Sequence, residues 1–138
     1  MEQATERQVT FFRFEDLRIY HKALDYITWV HDAVTNFPVE QTNGLSEKFV
    51  SSAQNIALNI AEGSARNKNQ FIYYLKMAKS AVRECLVLTS VSLNLKLIDE
   101  MQDEESRNSL MEMTKMLGAL ISSLQRSNNN NNNHDDDD

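Results

Sequence analysis

Apolar residues recur at spacings of three and four along four separate stretches of the chain, and this pattern limits its fold more than any other feature. The fourth stretch shows it most simply, with Leu110, Met113, Leu117, Leu120 and Leu124. Such spacing places side chains on one face of an α-helix, and no stretch shows the alternation typical of a strand. One proline and three glycines among 138 residues offer few points at which helices would be interrupted. The pattern therefore predicts an all-α protein.

Start and stop signals divide this pattern into four helices. The predicted starts lie near Glu15 and Asp16, near Leu45, at the capping-box pair Asn67 and Gln70, and at the capping-box pair Asp99 and Gln102. Pro38 ends the first helix, because the residue before a proline is pushed out of the helical region. Four helices joined by short connections predict an antiparallel up-down-up-down four-helix bundle.

The two ends of the chain differ in composition from the predicted bundle, which we assign to residues 14–126. Residues 1–13 are predicted to form a flexible N-terminal arm. Residues 127–138 contain six asparagines, one histidine and four aspartates, and no apolar side chain to bury. This composition predicts a disordered tail.

The charge balance and the cysteine count restrict the class of protein. The net charge is −6, and the aspartates at 135–138 supply four of those charges, which leaves 16 acids against 14 bases in residues 1–134. This is not the strongly basic balance of a typical nucleic-acid binder. A single cysteine excludes an internal disulfide framework. No apolar run reaches the roughly 18 residues that span a bilayer. We therefore expect a cytoplasmic protein without a membrane partner.

Basic residues are concentrated around the start of the third helix, since residues 63–83 hold five bases and no acid. They are Arg66, Lys68, Lys76, Lys79 and Arg83, the last three aligned at helical spacing. Such a stripe could follow a phosphate backbone, and the neighbouring Tyr73 and Tyr74 could stack on bases. Alternatively, it is an ordinary solvated face whose bases pair with the acids of the fourth helix. The sequence leaves both interpretations open.

The first helix carries two apolar stripes instead of one. The first stripe comprises Leu17, Tyr20, Leu24, Ile27, His31 and Val34, and the second comprises Ile19, Ala23, Tyr26, Val30, Ala33 and Phe37. A bundle helix needs one stripe to fill the core, so we expect the first stripe to face the interior and the second to lie between subunits. The residues expected at that subunit interface are Ile19, Tyr26, Trp29 and Val30. The alternative is a helix seated deeply within one bundle.

Motifs for catalysis or metal binding are not found in the sequence. Di-iron bundles need Glu-x-x-His, but His21 and His31 follow Arg18 and Thr28 at that spacing. Cys85 lies on an apolar stripe and is expected to be a small buried hydrophobe. His31 could be a ligand, a pH switch or a packed histidine. We therefore expect a protein that is not an enzyme and has no cofactor, metal or small-molecule substrate.

A run of small residues with one acid and one base occupies the middle of the chain, at Asn59-Ile60-Ala61-Glu62-Gly63-Ser64-Ala65-Arg66. Gly63 would let a neighbouring helix approach closely, and Glu62 can pair with Arg66 one turn later. Together with Asn59 this pair could form a functional polar site. Alternatively, it is a structural pair at a crowded helix end, which we favour because half-buried charges need partners.

This run belongs to a longer pattern that points to a known family. The other matching residues are Phe14-Glu15-Asp16-Leu17, Ala23, Phe37-Pro38, Gly44-Leu45, Phe71, Leu75, Ala78 and Glu84. Over about residues 14–122 the chain resembles the four-helix-bundle proteins encoded by intervening sequences of bacterial 23S rRNA genes, and the Asn59–Gly63 string is the most specific part. The resemblance implies a homo-oligomeric ring, usually a pentamer, without an established enzymatic activity.

The family is also distantly similar to accessory proteins of diversity-generating retroelements, which work with nucleic acid through a basic surface. The resemblance thus implies RNA or DNA as a partner, by analogy of fold. The expected function is a non-catalytic oligomeric bundle that binds RNA or DNA through the basic face of helix three. The alternative is a structural or protein-interaction module with no nucleic-acid role.

Overall fold

The computed structural model describes residues 11–130, apart from the side chains of Thr42 and residues 128–130. Its four long helices are α1 (Arg18–Thr35), α2 (Glu47–Ser64), α3 (Lys68–Asn94) and α4 (Glu100–Asn130). Shorter turns occur at Arg13–Asp16, Val39–Gln41 and Thr42–Ser46. No strand occurs in residues 11–130. The predicted all-α class is confirmed.

Side-chain caps start the third and fourth helices where the sequence predicts them. The Asn67 side chain accepts a hydrogen bond from the Gln70 backbone N–H at 2.9 Å. Asp99 and Gln102 form a complete capping box, with reciprocal hydrogen bonds of 2.8 and 2.9 Å. Each bond satisfies a backbone donor that has no partner inside the helix.

The first two helices begin later than the sequence predicts. Glu15 and Asp16 belong to a 3₁₀ turn, and the extended backbone of Leu17 separates that turn from α1. Before α2, the chain first makes a π-helical turn over Thr42–Ser46, so the regular helix begins at Glu47 and not near Leu45. These are local adjustments and leave the number of helices unchanged.

Neighbouring helices run in opposite directions. This is shown by their contacts, in which residues later in one helix meet residues earlier in the other. The contacting pairs are Lys22–Glu112 and Trp29–Glu105 between α1 and α4, Ser52–Glu84 and Gly63–Tyr74 between α2 and α3, and Lys68–Ser127 and Thr89–Ser106 between α3 and α4. Together with the short connections, these pairs describe an up-down-up-down bundle.

The second stripe of α1, and not the first, is the one that is fully buried in the core. Ile19, Tyr26 and Val30 belong to the core of a single chain, with exposed fractions of 4, 2 and 0%. The first stripe lies at the edge of the bundle, where Leu24 and His31 are exposed. Its other members are partly buried against the core, namely Leu17, Tyr20, Ile27 and Val34. Placing the second stripe between subunits was therefore wrong, since one chain already buries it.

Trp29, the fourth residue expected between subunits, is also engaged within the chain. Its ring is half-buried and stacks on Tyr26, with 5.7 Å between ring centroids. Its Nε1 donates a hydrogen bond of 3.0 Å to Glu105 on α4. The indole thus closes the α1–α4 seam of a single protomer.

The predicted boundaries of the bundle shift slightly at both ends. Helix α4 extends through Asn130 and so includes residues 127–130, which were assigned to the tail. Lys68 Nζ donates a hydrogen bond to Ser127 Oγ, which ties this end of α4 to the start of α3. Arg13 opens the 3₁₀ turn before α1. The remaining parts of the predicted arm and tail, residues 1–10 and 131–138, lie outside the described residues.

A chain of buried hydroxyl groups crosses the core and connects three helices. Thr89 Oγ1 donates to the carbonyl oxygen of Cys85 at 2.8 Å, so its oxygen must accept from Ser106 Oγ, 2.7 Å away. Ser106 in turn accepts from the phenol of Tyr26, also at 2.7 Å. Every hydroxyl is therefore satisfied, and burial raises the pKa of Tyr26 above its usual value.

Gly63 marks the closest approach of α2 and α3. A Cβ atom at this position would lie 2.6 Å from Tyr74 Cβ and 2.9 Å from Phe71 Cδ1. The predicted close packing of Gly63 against a neighbouring helix is thereby confirmed. Gly118 in α4 is a contrasting helical glycine, because a Cβ there would meet nothing within 4 Å.

We predict opposite effects on stability for the same substitution at these two glycines. Gly63→Ala should lower the free energy of unfolding by on the order of 1–3 kcal/mol, because its methyl group overpacks the α2–α3 contact. Gly118→Ala should raise it by about 0.5–1 kcal/mol, since alanine favours a helix and the site has room. Urea unfolding of both variants measures the difference, and a stabilised Gly63→Ala protein would contradict the packing described here.

Candidate nucleic-acid interface

Three of the five bases singled out in the sequence line one groove between α3 and α4. This basic groove has a volume of about 480 Å³. It is lined by Lys76, Lys79, Ser80 and Arg83 from α3 and by Gly118, Ile121, Ser122 and Gln125 from α4. The structure thus gives the basic stripe a second wall, which belongs to α4.

Helical spacing explains how both walls are assembled. Lys76, Lys79 and Arg83 recur at intervals of three and four, as do Gly118, Ser122 and Gln125 on α4, and such residues share a helix face. Gly118 has no side chain to fill the space between the helices. In the packed bundle, the basic wall formed by α3 therefore faces a wall of small or neutral polar residues formed by α4.

The electrostatic setting of the groove differs from that of an ordinary salt-bridged face. None of the described residues that line it is acidic. Within residues 11–130 its three bases form no ion pair, and the Nη2 of Arg83 donates only to Ser80 Oγ, at 3.2 Å. The neighbouring Glu84 instead accepts from Ser52 on α2. Pairing with the acids of α4, which the alternative interpretation requires, is not found for these bases.

Three of the five acids of α4 make contacts away from the groove. Glu112 pairs with Lys22 of α1 at 2.9 Å. Glu105 accepts a hydrogen bond from Trp29, which is also on α1. Asp103 pairs with Arg107 within α4. These contacts keep that negative charge away from the basic groove.

Arg66 and Lys68 do not line the groove. Arg66 donates to Glu62 Oε2 from Nε at 3.0 Å and from Nη2 at 2.5 Å, which confirms the one-turn pair predicted from the sequence. This hydrogen bonding is the main reason why the pKa of Arg66 is raised. Its guanidinium also lies over the ring of Tyr74, 5.4 Å from the centroid. Lys68 is bound to Ser127.

Of the two tyrosines considered for stacking, only Tyr73 faces outward. The two rings meet edge to face at 5.2 Å. Tyr74 is half-buried and packs beside Gly63, whereas Tyr73 is 57% exposed. An exposed aromatic ring therefore lies one helical turn before Lys76, the first base of the groove.

The family run Asn59-Ile60-Ala61-Glu62-Gly63 has a packing role in the structure. Ile60 and Gly63 are buried, and Asn59 donates to the backbone oxygen of Asn55 within its own helix at 2.8 Å. These contacts favour the structural interpretation of Glu62 and Arg66. Beside the run, one wall of a cleft of about 370 Å³ is formed by Phe11, Phe12, Arg13 and Phe14.

Among residues 11–130, Cys85 and His31, the candidates for a nucleophile and a ligand or pH switch, do not lie in a site with other reactive groups. Cys85 is fully buried, and its burial raises the pKa of the thiol to about 12. His31 is exposed and lies outside the core. Within the part of the chain that the structure describes, no group of three or more histidine, cysteine or acidic residues could hold a metal ion. In the same part, no helix has the length and apolarity needed to cross a membrane.

Sequence reasoning did not identify the α4 wall of the groove. Ser122 and Gln125 are neutral and carry no signal for anion binding when considered alone. The available signal was the position of Gly118, a helix-weakening residue inside a long helix and on the same face as both. Only the structure shows that this face of α4 packs beside the basic face of α3.

Comparison with protein families agrees with this fold. A family model described as 23S rRNA-intervening sequence protein matches residues 15–119. The chain belongs to the 23S rRNA-intervening sequence protein family. No curated protein matches it significantly.

The fold of this chain is also similar to that of solved structures. One is a crystal structure of a protein with unknown function from the S23 ribosomal protein family of Bacteroides thetaiotaomicron VPI-5482. It is 22% identical, with a TM-score of 0.70, and the match covers 75% of this chain and 95% of that chain. At this level of identity the likeness concerns the fold. The resemblance to the 23S rRNA intervening-sequence proteins, predicted from the sequence, is confirmed by the family model.

The raised pKa of Cys85 predicts a loss of stability in alkali. The thiol has its ordinary pKa of 9 in the unfolded chain and a pKa of about 12 in the folded chain. Between these pH values the unfolded chain loses the thiol proton and the folded chain keeps it. This difference lowers the free energy of unfolding by about 1.4 kcal/mol per pH unit. Cys85→Ala should remove that contribution and give a shallower decline in urea unfolding between pH 9 and 11. Parallel declines for both proteins would contradict the prediction.

Proposed function

We propose that this family member is a non-catalytic bundle that binds the phosphate backbone of RNA or DNA in the basic groove. The observation that supports this function best is the convergence of Lys76, Lys79 and Arg83 in a groove that no acid among residues 11–130 lines. Bases that lack ion pairs keep their charge available for phosphates. The chain as a whole is acidic, so this binding depends on the local field and not on net charge.

The dimensions of the groove suit a short stretch of backbone. From Lys76 to Arg83 the helix rises by roughly 10.5 Å, at 1.5 Å per residue. Successive phosphates of one strand of a duplex advance by about 3.4 Å along its axis, so the groove covers about three of them. Ser122 and Gln125 on the opposite wall can add neutral hydrogen bonds to phosphate or sugar oxygens.

Neutralising the groove should weaken binding and reduce its salt dependence. In Lys76→Gln/Lys79→Gln, two phosphate contacts are lost, so the slope of log K against log salt should fall by about 2. Fluorescence anisotropy with labelled RNA and DNA over a range of salt concentrations measures this slope. The matched control is Arg18→Gln/Lys48→Gln, which removes the same charge from exposed positions on α1 and α2.

The control separates a local site from a general effect of charge. It should bind like the unmodified protein, while the groove variant binds more weakly at every salt concentration. Equal weakening of both variants would contradict a site in the groove. Absence of binding to either nucleic acid at low salt would contradict the proposed function itself.

We further propose that the protein is a homo-oligomer, by family resemblance a ring of five. Such a ring repeats the groove and strengthens a weak contact through multivalency. With the second stripe of α1 buried inside one chain, the apolar surface available on this helix is the first stripe, where Leu24 is exposed and Ile27 is half-buried. The unpaired Cys85 suits a reducing cytoplasm, where we place the protein.

Light scattering should give a mass that is a multiple of 15.9 kDa, and five times that value for the ring. Leu24→Glu should lower this mass and leave the helical content unchanged, because it adds charge to an exposed position of the first stripe. Val30→Glu should instead unfold the chain, since that side chain is fully buried in the protomer. A monomer at micromolar concentration would contradict the oligomer.

A protein-interaction module is the second candidate function, favoured by one observation. The outer face of α3 exposes Tyr73, Met77 and Val87 beside the groove. Apolar and aromatic side chains in such positions also suit a contact with another protein. Because this contact does not require phosphate, it would survive neutralisation of Lys76 and Lys79.

A further inference from the structure

An apolar ridge runs beside the basic groove on the outer face of α3. We define the ridge by Tyr73, Met77 and Val87, whose exposed fractions are 57, 41 and 60%. Each of them lies one helical turn from a residue that lines the groove. Tyr73 precedes Lys76 by three positions, Met77 precedes Ser80 by three, and Val87 follows Arg83 by four. Positive charge and exposed apolar side chains therefore lie side by side along one helix. Between Met77 and Val87 the same face carries Glu84, which accepts a hydrogen bond from Ser52 on α2.

This juxtaposition separates the classes of nucleic acid. A duplex presents phosphates on its outside and stacks the faces of its bases within the helix, so it would engage the cations and leave the ridge without a partner. A single strand presents its phosphates together with unstacked bases. Proteins that bind single strands accordingly combine a basic groove for the backbone with aromatic side chains for the bases.

We propose that the groove and the ridge together bind single-stranded RNA, with the backbone in the groove and an unpaired base stacked on Tyr73. This inference rests on the proposed function and specifies its ligand. Tyr73 is held for this role by Tyr74, whose ring meets it edge to face at an interplanar angle of 82°. Tyr74 itself packs beside Gly63 and under the guanidinium of Arg66. The stacking platform is thus supported from the core side.

The opposite wall of the groove favours RNA over DNA. Ser122 and Gln125 of α4 line that wall and carry a hydroxyl and an amide. Both groups can donate and accept hydrogen bonds, and so can the ribose 2′-hydroxyl that deoxyribose lacks. The cations cannot make this distinction, because RNA and DNA carry the same phosphates. Selectivity for the sugar therefore resides on α4 and affinity for the backbone on α3.

The experiment compares three labelled probes of one sequence and length: single-stranded RNA, single-stranded DNA and duplex RNA. Anisotropy titrations with the full chain at one low salt concentration give the three dissociation constants. We expect single-stranded RNA to bind most tightly. Ser122→Ala/Gln125→Ala should bring the affinities for single-stranded RNA and DNA together, because the variant removes the groups that contact the 2′-hydroxyl.

Substitutions of Tyr73 test the stacking contact directly. Tyr73→Ala should weaken binding of single-stranded RNA by about tenfold, the order of loss expected for one base–aromatic stack, and leave duplex binding unchanged. Tyr73→Phe keeps the ring and should retain the affinity. Leu58→Ala, which truncates an exposed apolar side chain on α2, is the matched control and should bind like the unmodified protein.

The outcomes distinguish this inference from the function on which it rests. Equal or tighter binding of the duplex, or a Tyr73→Ala protein with unaltered affinity for single-stranded RNA, overturns the stacking role even if the groove binds phosphate. Equal binding of single-stranded DNA overturns the assignment of RNA. Binding that Lys76→Gln/Lys79→Gln leaves unchanged, or no binding of any probe, overturns the proposed function as well.

Discussion

The hydroxyl chain from Tyr26 through Ser106 and Thr89 to the carbonyl of Cys85 sets the alignment of three helices. Apolar contacts are not directional, so they define the alignment of two helices less sharply than hydrogen bonds do. Buried hydroxyls define it sharply, since a donor or acceptor left unpaired costs on the order of 1–3 kcal/mol. A slip of α4 by one turn would break two bonds of 2.7 Å. The same slip would carry Gly118 away from the basic wall, so the core contact also preserves the groove.

Local interactions explain which parts of the fold could be predicted. The capping residues Asn67 and Asp99 bond within their own helix turns, and their effect is therefore visible in sequence. The stripes of α1 could not be ranked, because both have helical spacing and similar apolarity. Contacts distant in sequence distinguish them, such as the hydrogen bond between Tyr26 of the second stripe and Ser106, which are 80 residues apart. The α4 wall was unpredictable for a similar reason, as it depends on the alignment of two helices.

The family run at the end of α2 contributes to the candidate site through packing. Gly63 admits Tyr74 to the α2–α3 seam, and Arg66 covers the ring of that tyrosine while it pairs with Glu62. Tyr74 then supports Tyr73 at the edge of the groove. This sequence of contacts gives the most specific part of the family pattern a physical connection to the surface where we place nucleic acid. In this account the residues of the run act by packing and do not themselves contact the nucleic acid.

The burial of Cys85 has a practical consequence for spectroscopy. It is the only cysteine in the chain, and its thiol is enclosed by the core and protonated at neutral pH. Thiolates and not thiols react with maleimide-type reagents, so the folded protein should present no reactive background. A cysteine introduced on the surface would then be the single site of attachment for a dye or a spin label. Distances between subunits of the proposed oligomer could then be measured on an otherwise native sequence.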